Sequence, residues 1–335
     1  MKRAAELRRI LGEFFVGQDT ASIEQAIADE FPGIRVDVAF DPRAVKFAMS
    51  CAWSRAPSGH STFTFAALKR GHLLDTVIER WLASFELFRR LDGPENPSGR
   101  IKINFNDVGV EPGLAFSAKG SPYILIPDCK FLESRGYEEA RNHFDRIPPR
   151  WAQCSATVFW RGSAVGQRDN SLLEMPRARL CRTPERAELP KEEAHLVDTF
   201  GLSSSHTEQL LTAGLMKSRV PWKQLNRYRF HIDIDGHANS YAGLFRKLLS
   251  GGLVLKVASP ECYRQWYYGS LKPWENFVPV RSDLSDLLET VSYCRKHDRV
   301  ARRIARNGQR LARSLTYETE LAAAISSVKS AFRAQ

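Results

Sequence analysis

Residues 228–257, YRFHIDIDGHANSYAGLFRKLLSGGLVLKV, constrain this chain more than any other stretch. Positions 229–235 alternate in the manner of a buried strand, and a turn of small and polar residues follows: Gly236, His237, Ala238, Asn239, Ser240. Tyr241, Leu244, Phe245, Leu248 and Leu249 then fall at the spacing of one apolar helix face. Asn239 or Ser240 can cap that helix, and Gly251 with Gly252 can end it. Residues 253–257 supply a second short strand. Strand, turn, helix and strand in this order build a right-handed parallel crossover, with the turn at the carboxyl end of a strand. Amides at a helix start carry partial positive charge, so the turn can hold an anion such as a pyrophosphate. Arg246 and Lys247 lie one turn further in and add charge.

The same alternation of elements extends over the 335 residues, a length that allows two domains with proper cores. Residues 2–16 predict a basic amphipathic helix, with Leu7, Ile10, Leu11, Phe14 and Phe15 on one side and Lys2, Arg3, Arg8 and Arg9 on the other. Such a helix either packs on its own domain or lies in a membrane interface. Residues 61–91 read as helix, and DGPENPSG at 92–99 breaks it. Ile101, Ile103 and Phe105 alternate as a strand ending at Asn106 and Asp107, and 123–127 is a further short strand. The run 146–153, RIPPRWAQ, suits an inter-domain connection. Residues 157–160 form a strand that ends at Arg161, Gly162 and Ser163, and a helix follows over 171–182. Residues 183–217 carry no clear period. Helices are expected over 261–268, over 283–295 with Ser282 as N-cap, over 298–313 and over 316–332. The expected organisation is therefore a first α/β domain over 1–150, a second over 151–315, and a carboxyl-terminal helix over 316–335 packing back on the first.

A formal net charge of +11, much of it in arginine, asks for an anionic partner: a nucleotide sugar, a phosphorylated glycan, an anionic membrane surface or nucleic acid. The six cysteines are widely spaced, with neither a CxxC pair nor a histidine at metal spacing, and read as reduced thiols. The amino-terminal sequence lacks the apolar core of a signal peptide, and no apolar run approaches the ~18 residues of a membrane span. The expected location is cytoplasmic.

From 228 onward the order YRFHIDIDG, SYAGLFRKLLSGGLVLK, LKPWENFVPVRSDLSDL and HDRVARRIARNGQRLA resembles glycosyltransferase family 90. The LKPW, VPV and DLSDL run at 271–287 is its most specific part; FWRGS at 159–163 and INFND at 103–107 match upstream. The resemblance implies a GT-B-like fold, two Rossmann-like α/β domains facing across a cleft. It also implies an inverting, metal-independent transfer of a sugar, glucose or xylose, from a UDP-sugar. For a bacterial member the implied acceptor is a lipopolysaccharide core or other surface polysaccharide, reached from the inner face of the inner membrane. A protein O-glycosyltransferase is the alternative.

Candidate site residues combine both lines of argument. Asp107 stands where a strand hands over to a loop, the usual ligand location in open α/β sheets. The resemblance makes it the base that takes the acceptor hydroxyl proton; a turn aspartate capping its own loop is the plainer reading, with Glu111 and Asp128 as the other carboxylates. Arg161, at a strand end before Gly162 and Ser163, can fork onto a diphosphate and stabilise the leaving-group charge, or it forms a salt bridge between strands. The resemblance assigns it to the donor diphosphate. Residues 236–243 (Gly236, His237, Ala238, Asn239, Ser240, Tyr241, Ala242, Gly243) are carried over as the diphosphate loop. Many relatives have arginine where this chain has Gly243, and Arg246 would have to reach the phosphates instead. Asp233 and Asp235 form an Asp-x-Asp pair of the kind that holds a divalent ion, but the family resemblance implies no metal, so Asp235 is expected to orient His237 or cap the loop.

The aromatic residues around Lys272 and Pro273 suit stacking on a base or sugar, or a core. Arg299, Arg302, Arg303, Arg306, Arg310 and Arg313 make a basic helix side, either solvated or facing anionic lipid or phosphorylated glycan. A phosphotransferase would need a GxxxxGK[ST] loop or the HRD and DFG motifs, and these are absent. No zinc, helix-turn-helix or RNP-like signature supports nucleic-acid binding.

Overall fold

The computed structural model describes residues 2–42, 49–66, 71–166, 172–182, 193–199 and 201–335. The chain divides into two units: Met1–Arg135 with Arg264–Trp266 and Tyr317–Gln335, and Gly136–Tyr263 with Tyr267–Thr316. Both are α/β. No helix among the described residues is long and apolar enough to cross a membrane.

In the first unit, six strands run in the order β1-β3-β2-β4-β5-β6. They are β1 (Val36–Asp41), β2 (Ser50–Arg55), β3 (Ser61–Ala66), β4 (Gly99–Asn104), β5 (Gly113–Ala115) and β6 (Tyr123–Leu125). β2 is antiparallel to both neighbours and the other pairs are parallel, so this sheet is mixed and not doubly wound throughout. β3 corrects the expectation of one helix over 61–91. Phe63 and Phe65 are buried while Thr62 and Thr64, which alternate with them, are half-exposed, a period of two that suits a pleated strand paired on both sides. The helix starts later, as α3 (His72–Ala83), followed by α4 (Phe85–Arg89).

The terminal helix α1 (Lys2–Gly17) packs on this unit. Phe15 is fully buried and meets Phe40, Phe65 and Trp81 edge-on, with centroids 5.1–5.8 Å apart. Its basic side is matched by acids: Arg8 with Glu79 and Glu133, Arg9 with Glu6 and Glu13. The last helix, α12 (Tyr317–Arg333), sets Phe332 edge-on to Trp53 at 5.2 Å, and Gln335 bonds the backbone of Arg100. A Cβ at Gly99 would stand 2.7 Å from the Phe332 ring, which is why that close approach takes a glycine.

The second unit is built on a wholly parallel sheet in the order β11-β10-β9-β7-β8. Its strands are β7 (Ser155–Ser163), β8 (Glu193–Asp198), β9 (Tyr228–Asp233), β10 (Leu253–Val257) and β11 (Val278–Val280). β10 is buried at every position, the signature of a strand covered on both faces. The 228–257 stretch folds as anticipated, with α9 (Tyr241–Leu249) between β9 and β10. Residues 146–153 lie inside this unit: Arg229 donates to the Trp151 carbonyl and Asn226 to that of Ile147. β8 and α8 (Ser204–Thr212) occupy part of the stretch that had no readable period.

Several boundaries shift. β7 continues through Arg161, Gly162 and Ser163. The next α-helix, α7 (Pro176–Arg182), opens on a proline, which suits a first-turn position with no amide partner, whereas Ser171 lies outside the described residues. Residues 266–270 are a short 3₁₀ turn. The helix expected from 283 begins at Leu287 as α10 (Leu287–Lys296), with Asp286 and not Ser282 at the cap position. α11 (Asp298–Ser314) buries Ala301, Ile304, Ala305, Gly308 and Ala312. All six cysteines are free thiols, five of them buried.

Candidate functional site

β9 ends on Asp233, a carboxylate with no exposure to solvent. Ser240 donates to its Oδ1 at 2.5 Å and Lys247 Nζ stands 2.8 Å from the same oxygen; Lys256 Nζ is 3.5 Å from Oδ2. Burial alone would raise this carboxyl, but the two ammonium groups and the hydroxyl outweigh it and hold it at about 2. Burial works the other way on Lys247, lowering it, with Asp233 opposing. Two cations on one carboxylate leave net positive charge beneath the turn. Ser240 occupies the cap position of α9, yet its hydroxyl ties the helix start to the strand end instead of capping.

Above this network, at the carboxyl edge of the sheet, opens a cavity of about 710 Å³. Arg161, Arg177, Arg219, Arg246 and Lys247 all line it, together with Gly162, Ser163, Trp222, Ser240 and Gly243, and among the described residues its wall contains no carboxylate. The volume suits a small molecule. Arg246 lies over the rings of Tyr137 and Trp222, with centroids 5.5 and 5.2 Å away, so its planar cation is held by stacking. Arg161 lies over Phe159 at 5.1 Å and donates to the Trp160 carbonyl. Ser163 donates to Asp198, which also pairs with Arg219. The β7–β8 register shifts between Gly162 and Ser163, and a Cβ on Gly162 would meet the Trp160 ring at 2.4 Å.

Buried Arg177 ties the wall together. It donates to the carbonyls of Asp235, Ser163 and Ile234. Burial lowers it from the usual arginine value, while Asp233, Asp235 and Asp198 favour its charge. Gly236 is needed for this contact, since a Cβ there would come within 2.8 Å of the Arg177 guanidinium.

The turn residues divide. Ser240, Gly243 and Arg246 join Arg161, Gly162 and Ser163 at the cavity. Gly236 and His237 instead border a small depression with Asp235, Ser259, Glu261 and Tyr263. Ala238 and Asn239 are buried; Asn239 donates to the Asp235 carboxylate at 3.3 Å and to the Tyr263 carbonyl. Tyr241 and Ala242 are half-buried and border neither space. Asp233 and Asp235 are not equivalent either: one is sealed against lysines, the other lies past the strand in the turn.

Asp107 belongs to the first unit, three residues past the end of β4. Its side chain is 49% exposed, and Arg80 Nη2 lies 2.6 Å from its Oδ1 while another Arg80 nitrogen holds the Phe105 carbonyl. The loop around it is shaped by buried Asn104, which bonds backbone groups of Val110, Glu111 and Leu114. Glu111 accepts from Ser50. Asp128 is fully buried and caps α5 (Cys129–Glu133) through the amides of Lys130 and Phe131, a structural post.

Arg177, Arg219, Trp222 and Lys256 were not singled out from sequence. Lys247 had a usable signal, because Ser240, Gly243 and Lys247 fall at i, i+3 and i+7 on one helix face. Arg219 and Trp222 follow a segment without period and had none.

A parallel α/β unit with a cation-lined cavity at its strand ends is the framework of a protein that binds an anionic small molecule. The family model for glycosyl transferase family 90 matches residues 137–319, more than half of the chain and every residue described as lining this cavity, and the chain belongs to that family. Protein O-glucosyltransferase 2 of Danio rerio is 31% identical over 234 residues, 65% of this chain and 44% of the relative. Protein O-glucosyltransferase 3 of Homo sapiens is 31% identical over 168 residues, 50% of this chain and 30% of the relative. The chain thus spans less than half the length of these relatives. Among solved structures, Anabaena HepE in complex with UDP-glucose aligns over 58% of this chain and 53% of its own, at 14% identity and a TM-score of 0.35.

Proposed function

We propose that this chain is an inverting glycosyltransferase that moves a sugar, glucose or xylose, from a UDP-sugar to an acceptor hydroxyl. The observation that carries the donor half is the cavity whose wall, among the described residues, holds five cationic side chains and no carboxylate. Leaving-group charge builds on the diphosphate as the glycosyl bond breaks, and fixed cations favour that state over the ground state. Arg161, Arg246 and Lys247 hold the diphosphate in this reading, and their charge takes the place of a divalent ion, so a chelator leaves turnover unchanged. Asp107 acts as the base, oriented by Arg80, taking the acceptor proton as that oxygen attacks the anomeric carbon. A single displacement inverts the anomeric centre.

For the acceptor we favour a lipopolysaccharide core or other surface polysaccharide, with the enzyme on the cytoplasmic side of the membrane. A protein hydroxyl is the second reading, favoured by the names of the curated relatives, protein O-glucosyltransferases at 31% identity. Thermal shift and calorimetry with UDP, UDP-glucose, UDP-xylose, ATP and an oligonucleotide test the donor. Selective binding of uridine nucleotides supports it; preference for ATP or the oligonucleotide overturns it. Labelled UDP-sugar incubated with an envelope extract or with folded protein domains then separates the two acceptors.

A further inference from the structure

On α11, Arg299, Arg302, Arg303, Arg306 and Arg310 fall at i, i+3, i+4, i+7 and i+11, one helix face about 16 Å long at 1.5 Å per residue. With Asn307 they line a shallow cavity of about 280 Å³ on their own. The opposite face is buried, so these side chains point to solvent. Among the described residues none of the five has a carboxylate partner, whereas Arg8, Arg9 and Arg313 each do. Five like charges held on a rigid rod repel one another, and an extended anionic surface removes that cost. The row is too long and too open to serve one diphosphate.

A second feature adjoins it. Asn307 donates to the Glu275 carbonyl, and Gly308 packs so closely on Asn276 that a Cβ would stand 2.6 Å from its oxygen. These contacts fasten the 272–277 loop to α11 and hold up Trp274, 45% exposed, beside Tyr293, 42% exposed. The two rings meet edge-on at 5.7 Å, and Tyr293 stacks on His297 at 4.1 Å. With the tyrosine face covered, the pair is poorly disposed to stack on bases and well disposed to sit among lipid headgroups, where tryptophan and tyrosine collect.

We propose that the α11 arginine row, with Trp274 and Tyr293 beside it, is a docking face for an anionic lipid surface. The face adsorbs electrostatically and does not insert, because the apolar side of α11 is already spent on the unit's core. This inference does not rest on the transfer reaction, so either can fail without the other.

Co-sedimentation with vesicles of phosphatidylcholine alone, or mixed with phosphatidylglycerol, tests it. Wild-type protein should bind only the mixed vesicles, and release in high salt. The double variant Arg302→Glu/Arg306→Glu should bind at least ~10-fold more weakly. Trp274→Ala should lose a few-fold at unchanged charge, and both should keep UDP affinity and melting temperature. Should the double glutamate variant fold poorly, Arg302→Gln/Arg306→Gln serves, with a smaller loss. Indifference of the wild type to phosphatidylglycerol overturns the proposal, as does a double variant that binds vesicles as well as wild type. Competition by RNA that displaces the vesicles, and is itself abolished by the same substitutions, reassigns the face to nucleic acid.

Discussion

Lys247 Nζ sits 2.8 Å from Asp233 Oδ1 with both side chains withdrawn from solvent, so the last residue of β9 is locked to the last turn of α9. The lock sets where the helix begins relative to the strand, and Ser240 and Lys247 carry that geometry directly to the cavity wall. Removing one member should therefore cost stability and anion binding together. Asp233→Asn leaves two buried ammonium groups without a counter-charge and should lose ~3–5 kcal/mol, read from urea unfolding.

The same pair makes stability depend on acid. The Asp233 carboxyl is lowered to about 2 in the folded chain, from an ordinary value of 3.8, so its contribution is full above about 4 and fades as pH falls towards 2. The shift is worth about 2 kcal/mol. Asp233→Asn should lack this part of the acid response.

His231 adds an earlier acid transition. Burial, with Lys247 nearby, lowers it to about 3, so the folded chain keeps it neutral where the unfolded chain takes up a proton. Stability should thus be complete above about 6.5 and decline by ~1.4 kcal/mol per unit as pH drops from there towards 3. His231→Gln should flatten the unfolding free energy between pH 6.5 and 4.5; an unchanged slope would place the proton uptake elsewhere.

Gly236→Ala should act through Arg177. The new methyl would meet the guanidinium at 2.8 Å and Val165 Cγ2 at 2.9 Å, and the buried cation has little room to retreat. Expected losses are ~1–3 kcal/mol of stability and a weaker UDP affinity, measured by unfolding and calorimetry.

Arg246→Ala should weaken UDP binding by ~10-fold or more, and Arg246→Lys should restore little of it. A lysine replaces the charge but not the plane that lies over Tyr137 and Trp222. Full recovery with lysine would reduce the role of this residue to a point charge.

Asp107→Asn should cut transfer, and hydrolysis of the donor, by ~10²–10⁴ while UDP binds as before. Arg80→Ala should lower turnover less, because it removes the partner that orients the carboxylate and leaves the base in place. Retained transfer in Asp107→Asn would make Asp107 a loop residue only.

Much of the second unit could be read in advance. Period-two and period-3.6 patterns reflect backbone geometry over a few residues, which is why β9, α9, β10 and α11 were legible. The first unit was less so. Phe63 and Phe65 belong to a strand whose two partners, β1 and β2, come from outside the segment, and the adjoining helix-rich sequence masked their alternation. Arg161, Gly162, Ser163, Ser240, Gly243 and Arg246 do gather at one cavity, but Ala238 and Asn239 serve the inside of the turn.

What the sequence determined alone was the strand–turn–helix–strand unit and an excess of cations near it. Tertiary structure decided which cations converge. Arg161, Arg177, Arg219 and Arg246 are scattered over more than eighty positions and meet only because β7 inserts between β9 and β8. Sheet order depends on how whole elements bury their apolar faces against each other, and no local period encodes it.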